Sequence, residues 1–186
     1  MSFLSTIEAA GPLPPRAGIA GRPLVFLDFE ASSLSPGSWP IEIGWAWVED
    51  GAVLAGSTLI APRPDWSFAD WWPEAERVHG IPLAEVQAAG TPAEAVAVMT
   101  DAFADCDLVS DNPVWEQRWL DRLRAGRAPI AVNPLRRAML ARMHPYEADW
   151  FRCALLRANP SHRAGDDARA VAAAWLAATR GDILAR

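Results

Sequence analysis

The sequence predicts an α/β domain on a mixed sheet, and three observations carry that expectation. The first is a meander of three strand-like runs near the start, Leu24–Phe29, Ile41–Val48 and Ala52–Ile60. The second is the strong hairpin signal Asp50-Gly51 between the last two runs. The third is the alternation of helical and short strand segments through the rest of the chain, the pattern of a sheet with crossover connections. The first run is the most apolar and leads into the acids Asp28 and Glu30, so it is expected at the centre of the sheet. The length of 186 residues suits one domain.

In chain order, Met1 to Arg22 holds Gly11-Pro12-Leu13-Pro14-Pro15 and no periodicity, which reads as an irregular arm (residues 1–22) before a domain over 23–186. Leu24–Phe29 is a buried-strand run, and Ser32–Pro40 is a Ser-, Pro- and Gly-rich loop. Ile41–Val48 alternates apolar and other residues, with aromatic and β-branched side chains, as a second strand does. Pro62–Ile81, with Trp66, Trp71 and Trp72, mixes loop and short helix. Thr91-Pro92-Ala93-Glu94 opens a helix with an N-cap, a proline at the first position and a capping-box glutamate. That helix should reach about Asp105, followed by a strand over Cys106–Ser110 and a helix from Asn112 to about Arg124. Pro129–Val132 is a short strand candidate, and helices are expected over Pro134–Arg142, Tyr146–Arg157 and Arg163–Thr179.

Composition narrows the function. Half the residues are hydrophobic and 22% are charged, as in a globular domain. The net charge of −6 argues against a broad basic surface for duplex nucleic acid, though not against nucleic acid gripped locally at a metal site. Cys106 and Cys153 are too few and too far apart for a zinc motif or disulfide framework, and read as free thiols in a reducing cytoplasm. No stretch approaches a membrane span or a secretory leader, so a soluble cytoplasmic protein is expected.

Acidic residues carry the chemistry. Side chains alternate along a strand, so Asp28 and Glu30 project from one face of an apolar run, with Phe29 on the other. Two like charges there repel, and burial raises the cost of ionising both. A divalent cation between them removes both problems. Two further acidic stretches follow, Asp111-Asn112-Pro113-Val114-Trp115-Glu116 and Ser161-His162-Arg163-Ala164-Gly165-Asp166-Asp167-Ala168. On the last helix, about 100° per residue puts Ala164, Ala168, Val171 and Trp175 on one stripe. Asp167 falls at the edge of that stripe and Asp166 on the opposite side, so Asp167 is the inward acid.

This ordering resembles the DEDDh group of 3′–5′ exonucleases, the DnaQ-like family that includes proofreading exonucleases and RNase T. Asp28 and Glu30 match its Asp-x-Glu motif, with Ser32 where a Thr is common. The second motif, often His-Asn-Ala-x-Phe-Asp, is matched in spacing with Asn112 retained and Trp115 at the aromatic position. The third, His-x-Ala-x-x-Asp-Ala, is met by His162, Ala164, Asp167 and Ala168. Arg77-Val78-His79-Gly80-Ile81 also resembles a loop of the family. The similarity runs from Leu24 to Thr179.

The resemblance implies a ribonuclease H-like fold, a mixed five-stranded sheet flanked by helices. It also implies two divalent cations, Mg²⁺ or Mn²⁺, held by Asp28, Glu30, Glu116 and Asp167. His162 would be the general base, and the products would be nucleoside 5′-monophosphates from a nucleic acid 3′ end, single-stranded or short. Ser32, Trp39 and Asn112 are the expected substrate contacts, Trp39 by stacking on a terminal base. One departure stands out: the second motif ends in Glu116 rather than Asp. Asp111, at the strand-to-helix junction, is the rival for that role; the motif spacing favours Glu116. Two alternatives stay open, a non-catalytic or weakly active nucleic-acid-binding domain on this fold and a phosphodiesterase for very short oligonucleotides. His79 is expected to be structural, and His144 has no supporting context.

Overall fold

The computed structural model describes residues 22–103 and 105–180. The expected N-terminal arm lies outside the described residues apart from Arg22. Five strands form one sheet: β1 (Leu24–Ala31), β2 (Pro40–Glu49), β3 (Ala52–Leu59), β4 (Asp107–Ser110) and β5 (Val132–Pro134). Their order is β3-β2-β1-β4-β5, which puts β1 at the centre. β1 pairs antiparallel with β2 and parallel with β4. The sheet is mixed, as the meander followed by crossovers predicts. Asp50 and Gly51 both adopt positive φ, 47° and 73°, in the turn between β2 and β3. That backbone matches the twist of the flanking strands.

The helices are α1 (Pro73–His79), α2 (Leu83–Gln87), α3 (Pro92–Phe103), α4 (Pro113–Leu123), α5 (Leu135–Arg142), α6 (Pro145–Arg157) and α7 (Ala164–Thr179). The capping box at α3 forms as the sequence indicates, with Thr91 N–H donating to Glu94 and Glu94 N–H donating to the Thr91 hydroxyl. Two details differ. β5 lies over Val132–Pro134 rather than Pro129–Val132, because its register is set by parallel pairing with β4. The five-residue α2 was not expected, since so short a segment carries too little periodicity to read.

Alternation along β1 sorts the core into two halves. Val25, Leu27 and Phe29 face a cluster with Trp119, Leu120 and Leu123 of α4. Leu24 and Phe26 face the opposite cluster, which contains Ala168, Ala172 and Trp175 of α7. Asp28 and Glu30 continue this second row by the two-residue strand period. The neighbouring row on β2, opposite them in register, is Glu42, Gly44 and Ala46. A Cβ at Gly44 would overlap the Ala164 backbone, and one at Gly165 would press on Ser57 of β3. These two glycines let the start of α7 lie directly on the sheet. Among the described residues no helix is long and apolar enough to cross a membrane.

Candidate active site

A cleft of about 340 Å³ opens at the C-terminal ends of β1 and β4, lined by Asp28, Glu30, Asp111, Asn112, Glu116, Trp119, His162 and Asp167 among others. β1 supplies Asp28 and Glu30, both half-buried at its end. The run of buried residues before them fixes the strand, and the pleat then sends both carboxylates to the side that α7 covers.

The second wall is the junction of β4 and α4. Pro113 starts the helix without requiring a backbone donor. Asn112 N–H donates to the Ser110 hydroxyl, which tightens the turn before it. The buried residues of α4 are Glu116, Trp119, Leu120 and Leu123, spaced as one helical stripe with Glu116 at its first position. Packing of the three apolar members therefore turns Glu116 inward, where it is only 3% exposed. Its Oε2 is buried with no hydrogen-bond partner. Asp111 also lines the cleft, half-buried, so both candidates for the second-motif acid reach the same space.

The third wall is the loop leading into α7. Ala164, Ala168, Ala172, Trp175 and Ala178 of this helix are buried, Asp166 is exposed, and Asp167 is half-buried in the cleft. The stripe read from the sequence is thus the face that meets the sheet. Asp167 also grips its own loop: Ser161 N–H donates to Oδ1 at 2.8 Å and His162 N–H donates to Oδ2 at 3.0 Å. His162 takes a left-handed φ of 56°, and its imidazole is exposed at the cleft rim. Glu30, His162 and Asp167 each present one potential ligand atom within 4.8 Å of the others.

So many acids in one place leave their mark on the proton affinities. Burial, then repulsion from Glu30, Asp111 and Asp167, pushes the Asp28 carboxyl well above its ordinary range. Burial is the main cause at Glu30 as well, followed by the charges of Asp167 and Glu42, and its pKa rises from 4.5 to about 8. Glu116 is driven well upward by burial and then by Asp28, and Asp111 is raised chiefly by burial. Backbone and Ser110 hydrogen bonds pull Asp111 partly back, whereas Glu116 has no such relief. Converging hard oxygen donors, with one carboxylate oxygen buried and unpartnered, fit divalent cations of the Mg²⁺ or Mn²⁺ type.

The structure does not bring two of the expected substrate residues to this cleft. Trp39 is fully buried, stacked on Trp66 at 5.7 Å and flanked by Phe68 and Trp71, with its indole N–H bonded to the Ser67 carbonyl. Its ring is core and presents no face to a base. Ser32 is also fully buried, where its hydroxyl accepts the Trp39 N–H and fixes the loop. Asn112 does line the cleft. His79 is buried at the end of α1, its Nδ1 accepting the Ile81 N–H, and is structural in its contacts.

Sequence reasoning missed Glu42 and Arg163. Glu42 is 2% exposed and accepts two hydrogen bonds from the Arg163 guanidinium, at 3.0 and 3.1 Å. The only sequence signal was an acid flanked by isoleucines in a strand, which also describes an ordinary solvent-facing position.

No family model matches the chain, and no curated protein matches it by sequence. Solved structures do resemble it. E. coli ExoI in a metal-free complex with single-stranded DNA has a TM-score of 0.58 at 18% identity, over 88% of this chain and 41% of that one. Exonuclease I from Methylocaldum szegediense has a TM-score of 0.58 at 15% identity, over 86% and 41%. The nuclease domain of 3′hExo, a DEDDh family member bound to rAMP, has a TM-score of 0.54 at 12% identity, over 87% and 94%. The chain therefore spans 41% of the length of these exonuclease I structures and most of the 3′hExo domain. At such identities the likeness establishes a shared fold, the ribonuclease H-like mixed sheet flanked by helices.

Proposed function

We propose that this chain is a metal-dependent 3′–5′ exonuclease of the DEDDh type, hydrolysing the terminal phosphodiester of a single-stranded or short nucleic acid to release nucleoside 5′-monophosphates. The observation that carries the proposal is the meeting of Asp28, Glu30, Glu116, Asp167 and His162, from three distant segments, around one cleft. A fold shared with proteins whose structures hold single-stranded DNA or rAMP supports the same reading.

Asp28, Glu30, Asp167 and Glu116 would hold two divalent cations, Mg²⁺ or Mn²⁺. Bound there, such ions supply the Lewis-acid charge that acidifies water and offsets charge developing on the phosphodiester. His162, exposed at the rim beside Glu30 and Asp167, takes the proton of the attacking water on a ring nitrogen as general base. Trp119 and Phe29 make the inner wall apolar, and the Asn112 side chain adds a neutral polar group that can bond a sugar or phosphate oxygen. A cleft of about 340 Å³ accommodates one terminal nucleotide.

The net charge of −6 favours short substrates, because a long strand gains from an extended basic track. That observation supports a second reading, a phosphodiesterase for very short oligonucleotides with the same site. The deciding experiment is a Mn²⁺-supported digestion panel of 3′- and 5′-labelled single- and double-stranded DNA and RNA, dinucleotides included. Stepwise loss of the 3′ label, abolished by EDTA and by a 3′ block, is the expected result. Equal degradation of the blocked strand, or full activity in excess EDTA, would overturn the proposal. Hydrolysis confined to dinucleotides would select the second reading.

A further inference from the structure

We infer that Glu42 is a positioning residue: through Arg163 and the Ala164 N–H it holds the loop that presents His162 to Glu30 and Asp167. The inference rests on the nuclease reading above for its kinetic consequence, but not for its geometry.

Glu42 sits on β2 directly opposite Glu30. Unlike Glu30, it does not line the cleft. Its carboxylate is already occupied: Arg163 Nε and Ala164 N–H donate to Oε2 at 3.0 and 3.1 Å, and Arg163 Nη2 donates to Oε1 at 3.1 Å. A carboxylate so deeply buried is tolerable only with partners of this quality. All three bonds end on residues immediately after His162.

The other side of His162 is held by a different acid. Asp167 accepts Ser161 N–H, the Ser161 hydroxyl and His162 N–H. His162 therefore stands between two grips, Asp167 on its N-terminal side and Glu42 on its C-terminal side, 121 residues away in sequence from the arginine it binds. Its φ of 56° lies in the left-handed region, which is unfavourable for a residue with a Cβ. Such a backbone persists only where its surroundings fix it. Releasing the Glu42 grip lets the loop relax to an ordinary φ and swings the imidazole from its place. The absent side chains at Gly44 and Gly165 serve the same arrangement, since they bring the start of α7 within reach of Glu42.

The test uses Glu42→Gln, which keeps the shape and removes the charge, in wild-type and His162→Ala backgrounds. Arg163→Lys is the second variant; it leaves a cation over the buried carboxylate but loses the two-pronged fork. Two readouts are taken, kcat and KM for Mn²⁺-supported nucleotide release, and the imidazole NMR signals of the metal-free protein. Expected for Glu42→Gln is a fall in kcat of roughly 10- to 100-fold with little change in KM. In the His162→Ala background the same substitution should cause no further fall. The His162 signal should shift or broaden while that of exposed His144 stays put, and Arg163→Lys should give a smaller change in the same direction. Unchanged His162 signals in both variants would overturn the inference, as would an equal activity loss in the two backgrounds. A wild-type chain without nuclease activity would sink the nuclease reading alone, because the NMR comparison still decides whether Glu42 places His162.

Discussion

Glu30 and Glu42 face each other in register across the antiparallel β1–β2 pair, yet their carboxylates meet opposite circumstances. Glu42 is bonded to Arg163 and to the start of α7. Glu30 looks into the cleft toward Asp167 and His162. Like charges directly opposite on a sheet destabilise it. Here Arg163 bonds the residue outside the cleft, and its charge only partly offsets the burial and repulsion that raise the proton affinity of the acid inside.

That imbalance sets a pH dependence. Glu30 has an ordinary pKa of 4.5 and about 8 in the folded chain. Between those values the folded protein retains a proton that the unfolded protein has released. Stability therefore falls as pH rises from about 4.5 to 8, the loss being complete above the folded value. Asp28 and Glu116 are displaced in the same direction and add to the trend. Metal-free protein should melt higher at pH 5 than at pH 8 by calorimetry in EDTA. Mn²⁺ should raise Tm chiefly at pH 8, and a linked gain of about 2 kcal/mol would appear as roughly 4–8 °C. Glu30→Gln should flatten the metal-free profile, and a melting temperature that climbs from pH 5 to pH 8 would contradict it.

The two acids of the second motif separate by charge removal. Glu116 has a buried oxygen without a partner, whereas Asp111 is tied to the turn before α4. Glu116→Gln should lower turnover by about 10²-fold or more at saturating Mn²⁺ and should stabilise the metal-free protein at neutral pH, because Gln stays neutral in the buried site without taking up a proton. Asp111→Asn should lower turnover far less. Loss of turnover in Asp111→Asn with Glu116→Gln unaffected would reverse the assignment.

Trp39 should behave as core. Trp39→Ala ought to destabilise the fold by about 3–5 kcal/mol, given its complete burial among aromatic neighbours. Trp39→Phe, a milder loss of volume, should leave KM for a single-stranded substrate unchanged. A large rise in KM with unaltered denaturation midpoint would instead show that the ring meets the substrate.

Two glycine variants distinguish close packing from backbone freedom. Gly44→Ala forces a methyl group against the Ala164 backbone, so it should displace the start of α7, cost about 1–3 kcal/mol and reduce activity. Gly80→Ala meets no atom within 4 Å but must adopt a φ of 67° at the end of α1. It should cost about 1 kcal/mol and leave kcat intact. Equal kinetic effects in urea-matched samples of the two variants would mean that the α7 contact has no special bearing on the site.

Much of this site was readable because its signals are local. The apolar run ending in Asp28 and Glu30 specifies a buried strand and the face its acids share. The Ala164–Ala168–Trp175 stripe orients Asp167 without reference to the rest of the chain. Glu116 could have been placed inward on the same ground, since Trp119, Leu120 and Leu123 complete its stripe. Glu42 could not, because what distinguishes it is a bond to an arginine far along the chain. Trp39 was misread for a related reason. The Ser- and Pro-rich stretch around it suggests exposure, but Trp66 and Trp71 close over the ring from another segment. Local pattern gives a side chain's direction, and long-range packing decides what it meets there.

The position of α7 in the chain has a consequence for biosynthesis. This helix packs on β1, β2 and β3, and it carries Asp167 with His162 just ahead of it. A chain emerging from the ribosome completes the three-stranded meander early but has no third wall until residue 167 has been made. Docking α7 must then bring together segments separated by most of the domain's length, a slow class of contact. The acids of β1 are thus synthesised long before the residues that complete their site, and a product ending before α7 would lack both the third wall of the cleft and the helix that packs on β1, β2 and β3.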